Sequence, residues 1–165
     1  MTVSSRQLRP AEPLLILEQF LPYRLNVLAG VVSNALAAIY EERFGLSIPE
    51  WRVIATLGQY GVRTARDIAA HAVMHKSTVS RAVSALEARG LLAREANPDD
   101  MREELLALTR EGRRVYEALA PEALAFADRL AAAFAPGERE RFLDMLERLD
   151  RHVRSLAGAR TEAAS

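Results

Sequence analysis

Hydrophobic and polar positions along most of the chain recur with the period of a helix. Between Leu14 and Phe44, the residues Leu21, Leu25, Leu28, Val32, Ala35 and Ile39 keep the spacing of one helix face. Pro22 lies inside this run and predicts either a kink or a second helix start beside it. Gly45 closes the segment, as a glycine just past a helix end does. Ser47 and Pro49 then supply a cap and an early-turn proline. Trp51, Ile54 and Leu57 follow at helical spacing, and Gly61 ends that helix. Thr64, with Asp67 three positions on, matches a capping box and opens a short helix over Ala65–Ala70. After a four-residue turn, a second helix runs over about Lys76–Arg89 and Gly90 stops it.

The period then changes. Two short strands, Leu91–Glu95 and Leu105–Leu108, flank Asn97-Pro98-Asp99-Asp100, which is turn chemistry. Thr109 caps a long helix reaching about Phe134, and Pro121 is expected to bend or break it. Pro136-Gly137 restarts the chain, and a last helix runs to about Ala157. No repeat of 20–50 residues is present. A hairpin directly after a helix-turn-helix is the outline of a winged helix. The expected fold is therefore mainly α with a small β-hairpin wing.

Composition narrows the function classes. Half of the 165 residues are apolar and 27% are charged, the balance of a globular chain with a real core. The absence of cysteine removes disulfides, thiolate zinc sites and cysteine nucleophiles together. No apolar run approaches the ~20 residues needed to cross a membrane. Met1–Pro10 has no apolar core ahead of a cleavage site, so it is not read as a secretory signal, and the cytoplasm is the expected location. The 22 basic and 22 acidic residues cancel. A nucleic-acid partner then requires sorting of charge by face. Such sorting is visible: Lys76–Arg81 holds two cations and no acid, while acids collect at Glu41–Glu42, Asp99–Asp100 and Glu103–Glu104.

The helix from Lys76 carries the candidate chemistry. Val79, Val83 and Leu86 fall at i, i+4 and i+7 and share a buried face. Lys76, Ser77, Thr78, Arg81 and Ser84 point away from it. Short side chains near the N-terminus let a helix enter a major groove about 12 Å wide. The N-terminus favours phosphate, hydroxyls meet phosphates or base edges, and Arg81 can reach guanine O6 and N7 together. Taken alone, this pattern equally describes an amphipathic helix with a solvated face. The preceding short helix and tight turn supply the helix-turn-helix arrangement. On the hairpin, Arg102 sits near the tip beside Asp100. An arginine there can enter the negative minor groove, and the carboxylate could hold its guanidinium, or the two could form an incidental surface pair.

The stretch Ser77-Thr78-Val79-Ser80-Arg81-x-Val83-x-x-Leu86-Glu87-x-x-Gly90-Leu91-Leu92 resembles the recognition helix of MarR-family regulators. The stretch Asp100-x-Arg102-x-x-x-x-x-Leu108-Thr109-x-x-Gly112 resembles that family's wing and the start of the helix after it. The resemblance covers about residues 13–158. It implies a dimer that binds double-stranded DNA and responds to a small molecule. By that resemblance Ser77, Thr78, Ser80 and Arg81 would contact the major groove. Arg102 would enter the minor groove with Asp100 as its support. The family often carries two arginines at the wing tip, and Met101 stands at the first of those positions here.

Phe142, Leu146, Leu149, Val153 and Leu156 are spaced four and three apart, a heptad-like seam, and the first helix is apolar on more than one face. Periodicity alone leaves packing within one chain and packing between chains both open. The resemblance implies the second, with residues 13–46 and 110–158 interlocking two subunits around a reading lobe of residues 47–109. Residues 1–12 are expected to be a flexible arm and 159–165 a frayed tail. Such a dimer would read a pseudo-palindrome with half-sites about 10 bp apart.

Arg24 lies on or beside the stripe of Leu21, Leu25, Leu28 and Val32, so it needs a partner. A structural carboxylate such as Glu50 or Glu117, the other subunit, or water would satisfy it. So would a ligand carboxylate held by both guanidinium arms, with Tyr23 and Trp51 as aromatic pocket walls. Leu21-Pro22-Tyr23-Arg24-Leu25 also resembles the MarR-type regulators that sense aromatic acids, which implies an aromatic carboxylate as the effector. The expected activity is ligand-released repression. The alternative is a winged-helix protein-interaction module without operator binding, which acids on the outer face of residues 76–85 would favour. No enzyme signature emerges: no Gly-rich phosphate loop, no nucleophile elbow and no inward carboxylate pair. His71 and His75 have zinc-helix spacing but straddle a turn, with no acid completing the set, so no cofactor is expected.

Overall fold

In a computed structural model of the chain, residues 14–98 and 100–162 are described. The flexible arm expected over residues 1–12, and the last three residues of the expected frayed tail, lie outside them. The chain divides into two compact units, residues 1–48 and 49–165.

The first unit is one helix and its entry. A single 3₁₀ turn at Leu17–Gln19 leads into α1, Leu21–Phe44. Pro22 occupies the first turn of α1, where its missing N–H costs no bond. Of the two readings of Pro22, the helix start is thus the one observed. Gly45, in the left-handed region at φ 58°, closes the helix by donating its N–H to the carbonyls of Tyr40 and Glu41. Ala37, Tyr40 and Leu46 are buried, whereas residues 21–31 are all exposed.

The second unit contains α2 from Pro49 onward (Ile48–Tyr60), β1 (Arg63–Thr64), α3 (Ala65–His71), α4 (Lys76–Ala88), β2 (Leu92–Ala96), β3 (Glu104–Leu108), α5 (Arg110–Ala131) and α6 (Glu138–Glu162). The sheet is antiparallel in the order β1-β3-β2, with Leu92 opposite Leu108 and Ala96 opposite Glu104. β1 was not expected. Its two residues pair Arg63 with Leu106 and Thr64 with Leu105, so the hairpin is anchored to the chain that enters α3. Two residues show no alternation, which is why this strand left no period in the sequence.

The core is built by helix faces closing on the sheet. Trp51, Val53, Ile54 and Leu57 of α2, Ile68 of α3, Val79, Val83 and Leu86 of α4, Leu92 and Leu106 of the sheet, and Val115 and Leu119 of α5 are all buried. α5 continues unbroken through Pro121, against expectation. Pro121 and Glu117, whose carbonyl loses its partner, both lie on the exposed side, where water can satisfy that carbonyl. α5 stops at Ala131 rather than Phe134, and α6 extends past Ala157 to Glu162. No α6 side chain up to Ala157 is buried.

Two close approaches fix α5. The Thr109 N–H donates to the Leu91 carbonyl at 3.1 Å and its hydroxyl to the Gly90 carbonyl at 2.7 Å. The same hydroxyl accepts from the Gly112 N–H at 3.1 Å, capping α5. A Cβ on Gly112 would collide with the Leu91 carbonyl oxygen and lie 2.9 Å from its carbon. At α2, Gly58 faces the Tyr116 ring with no room for a Cβ, and Arg113 donates to the Gly58 carbonyl at 3.0 Å.

Gly112→Ala is therefore expected to destabilise the fold by about 2–3 kcal/mol, the upper range for overpacking against backbone that cannot move aside. Urea unfolding of the variant beside the parent measures this, and an unchanged midpoint would refute it.

Candidate nucleic-acid interface

The helix-turn-helix is set by local chemistry at each joint. Thr64 caps α3: its hydroxyl accepts from the Asp67 N–H at 3.1 Å, and the Asp67 carboxylate accepts from the Thr64 N–H at 3.2 Å. These bonds hold the Asp67 carboxyl below its ordinary value of 3.8. The Thr64 hydroxyl–carboxyl interaction contributes most, then the Thr64 backbone N–H. After α3 the chain turns through Ala72–His75, and His75 is the N-cap of α4.

α4 divides as its period demands. Val79, Val83 and Leu86 are no more than 1% exposed. Lys76, Ser77, Ser80, Arg81 and Ser84 are exposed and Thr78 is half-buried. The structure thus brings every helix residue singled out in the sequence onto the outward side of one element. No acid occurs between Lys76 and Ser84.

The wing lies beside this helix. Thr64, Arg66, Lys76, Ser80, Arg94 and Arg102 are among the residues lining a cleft of about 620 Å³ between α4, the start of α3 and the hairpin tip. Asp100 supports Arg102 differently from expectation. Its carboxylate accepts from the Arg102 backbone N–H at 3.0 Å, so it shapes the turn and does not clamp the guanidinium. A carboxylate only two positions away meets the nearer backbone N–H before a long side chain can fold back. Arg102 and Met101 are both exposed at the tip.

Two acids of the wing and one of α4 are paired with arginines. Glu103 accepts from Arg66 at 2.9 Å. Glu104 accepts from Arg94 at 2.7 Å, and Glu87 accepts from the same guanidinium at 2.9 Å. The Glu104 hydrogen bond, seconded by Glu87, pushes the Arg94 pKa up from its ordinary value against partial burial. Arg94 also reaches the Ser84 hydroxyl at 3.4 Å. Sequence reasoning missed Arg66 and Arg94. Arg94 faces Leu106 across the sheet, so the strand register placed it beside α4, and no short-range pattern encodes that. Lys76, Arg81 and Arg102 have no ion-pair partner among the described residues.

The residues singled out for ligand binding fall in both units. Tyr23 and Arg24 lie together on α1, in a groove of about 530 Å³ with Glu18, Val27, Leu28 and Val31. Arg24 is exposed in the single chain, so the buried charge that its position on the apolar stripe suggested is not observed there. Trp51 belongs to the second unit, is 8% exposed, and edges a cavity of about 220 Å³ with Thr56, Gln59 and His71. Glu50 lies 3.9 Å from Arg89. His71 ends α3 with its ring edge-on to Tyr60 at 4.7 Å, and His75 begins α4. Among the described residues no group of three or more His, Asp or Glu could hold a metal ion, and no helix is long and apolar enough to cross a membrane.

Thr64→Ala is expected to cost about 1 kcal/mol, the usual loss of an N-cap. Asp67 adds a pH signature. Its folded-state pKa is lowered, so its contribution is complete above the unfolded value and is lost as pH falls through the folded one. Urea melts of the parent and Asp67→Asn should differ by a constant amount above pH ~5 and converge below 3.8. A gap that widens on acidification would contradict this.

Comparison with known proteins agrees with this geometry. Residues 44–103 match the MarR family model. An uncharacterised HTH-type transcriptional regulator of Bacillus subtilis is 33% identical over 61% of this chain and 73% of its own. A MarR-family transcriptional regulator of Silicibacter pomeroyi is 33% identical, covers 81% of this chain and 89% of its own, and superposes with a TM-score of 0.68. At 24% identity, Bordetella bronchiseptica BpsR, whose DNA binding is regulated by 6-hydroxynicotinic acid, shares the fold with a TM-score of 0.65, over 77% of this chain and 98% of its own. The chain belongs to the MarR family of DNA-binding winged helix-turn-helix transcription regulators.

Proposed function

We propose that the protein is a dimeric repressor that binds a pseudo-palindromic operator and is released from it by a small aromatic carboxylate. The observation that carries the DNA part is the outer face of α4, exposed, cationic and free of acid from Lys76 to Ser84. A face intended for an ordinary protein partner has no need of that bias. In this reading Ser77, Thr78, Ser80 and Arg81 meet base edges and phosphates in the major groove. Lys76 and Ser84 flank them, and Arg102 enters the minor groove on a turn shaped by Asp100. The relatives are regulators and not enzymes, which favours a binding function over catalysis. As a regulator of DNA it acts in the cytoplasm.

Two copies are needed because α1 and α6 present apolar surface that one chain leaves in water. On α1, Leu21, Leu28 and Val31 are each more than half exposed, and on α6 so are Val153 and Leu156. We assign residues 13–46 and 110–158 to the dimer region and 47–109 to the reading lobe. A two-fold pair then places two α4 helices at half-sites about one DNA turn apart.

For the effector, Arg24 is the cation of a groove whose remaining lining includes Tyr23, Val27 and Leu28. A planar acid suits it: two guanidinium N–H groups for the carboxylate and apolar walls for the ring. Trp51 is left out of this groove, since it edges a cavity lined by residues of the second unit. BpsR shares this fold and responds to an acid of that class, which supports the choice.

Arg81→Ala is expected to remain dimeric by size-exclusion chromatography yet lose specific retardation in a gel shift. The loss should be at least about thirtyfold, because each of two copies gives up a contact worth ~1–3 kcal/mol. Parent-like binding would sink the assignment of α4. Arg24→Ala should bind operator normally and fail to release it when titrated with a panel of small aromatic acids. Unchanged release would remove Arg24 from the effector site.

A further inference from the structure

Val73 is the one non-glycine residue with positive φ among the described residues, at 50°. It lies in the turn between α3 and α4. The Ala72 N–H donates to Ile68 at 2.9 Å and the Met74 N–H reaches back to Ala69 at 3.0 Å, and this closure forces the residue between them into the left-handed region. At the other left-handed positions the chain uses glycine: Gly45 after α1, Gly61 after α2, Gly90 after α4 and Gly137 before α6. For a β-branched residue that conformation is strained. Burial does not offset the strain, because Val73 is 83% exposed. Among the large apolar side chains of residues 49–108, only Val73 and Met101 are more than half exposed. Val73 stands three residues before Lys76, where the turn delivers the acid-free end of α4.

We infer that Val73 is a base-reading residue whose methyl groups pack on the 5-methyl group of a thymine, at the major-groove edge beside the N-terminal end of α4. This rests on the DNA-binding reading above. The thymine methyl is the apolar feature of the major-groove edges, so an apolar reader there has one target. Valine suits the task because its χ1 is stiff and it presents two methyls at a fixed angle. Strain kept at an exposed apolar side chain is intelligible if contact with the ligand, absent from the free protein, makes use of it. Glycine would relax the turn and leave the thymine methyl uncovered.

The test begins with the operator that the full-length parent selects from a random duplex pool. Affinities of the parent, Val73→Gly and Val73→Asn are then measured on that duplex and on copies with each thymine replaced in turn by deoxyuridine. One thymine per half-site should show a three- to fivefold loss for the parent, the effect of uncovering about one methyl group. Both variants should be indifferent to the same replacement. Both variants should also melt about 2–4 °C higher than the parent. Deoxyuridine tolerated equally by all three proteins overturns the inference. So does a variant that loses the same factor on every duplex, or variants that melt no higher. A parent that enriches no sequence overturns the DNA-binding reading itself, and this inference with it.

Discussion

The interface depends on the return of the chain to the end of α4 at Thr109. That residue donates twice, to the carbonyls of Gly90 and Leu91, and caps α5 through the same hydroxyl. The wing leaves α4 at Gly90 and comes back at Thr109, so these bonds close the loop that carries Arg102. Gly112 makes the closure possible, since a side chain there would strike the Leu91 carbonyl. β1 adds a second tether by pairing Arg63 and Thr64 with the returning strand. Helix and wing are thereby held as one surface, so little of the hairpin's conformational entropy remains to be lost on contact with a ligand.

Electrostatics works through subtraction on this surface. The chain is formally neutral, and its wing region is acidic in sequence. Glu87, Glu103 and Glu104 each accept from Arg66 or Arg94, so these acids are matched by cations that are thereby withdrawn from recognition. Exposed pairs of this sort contribute little stability. Their effect is on field and geometry: Arg66 ties the start of α3 to the wing, and Arg94 ties α4 to both strands. Lys76, Arg81 and Arg102 are left without an ion-pair partner among the described residues, so zero net charge is compatible with a locally cationic surface.

Much of this was legible in the sequence because it is written in short-range chemistry. The capping box at Thr64 and Asp67, the stop at Gly90, the cap at Thr109 and the i, i+4, i+7 face of α4 each depend on residues within a few positions. What escaped is long-range or geometric. β1 is too short to show a period. The pairing of Arg66 with Glu103 spans 37 positions. Pro121 signals a break, and only its exposed setting explains why α5 continues. Asp100 was matched to the right residue and the wrong atom, because sequence separation does not distinguish a backbone N–H from a guanidinium. Val73 carries no sequence mark at all, since its interest lies in φ and exposure, not in residue type.

The distribution of burial bears on how such a protein could respond to a ligand. The reading lobe is packed: α2, α3, α4 and the sheet contribute most of the buried apolar side chains, and α5 is gripped at Gly58 and Gly112. α6 has no buried side chain up to Ala157, and the first half of α1 is exposed. In the proposed dimer those helices are ordered by the second subunit, so the distance between two reading heads is set by a contact between chains. Packed lobes do not deform continuously, whereas a contact between subunits has alternative arrangements of similar energy. An acid lodged beside Arg24 on α1 would act on the softer of the two layers. A coupling of ~1–3 kcal/mol needs only a small difference in fit between the spacing that matches one DNA turn and one that does not. In the proposed function, recognition thus belongs to the packed lobe and the response to the contact between subunits.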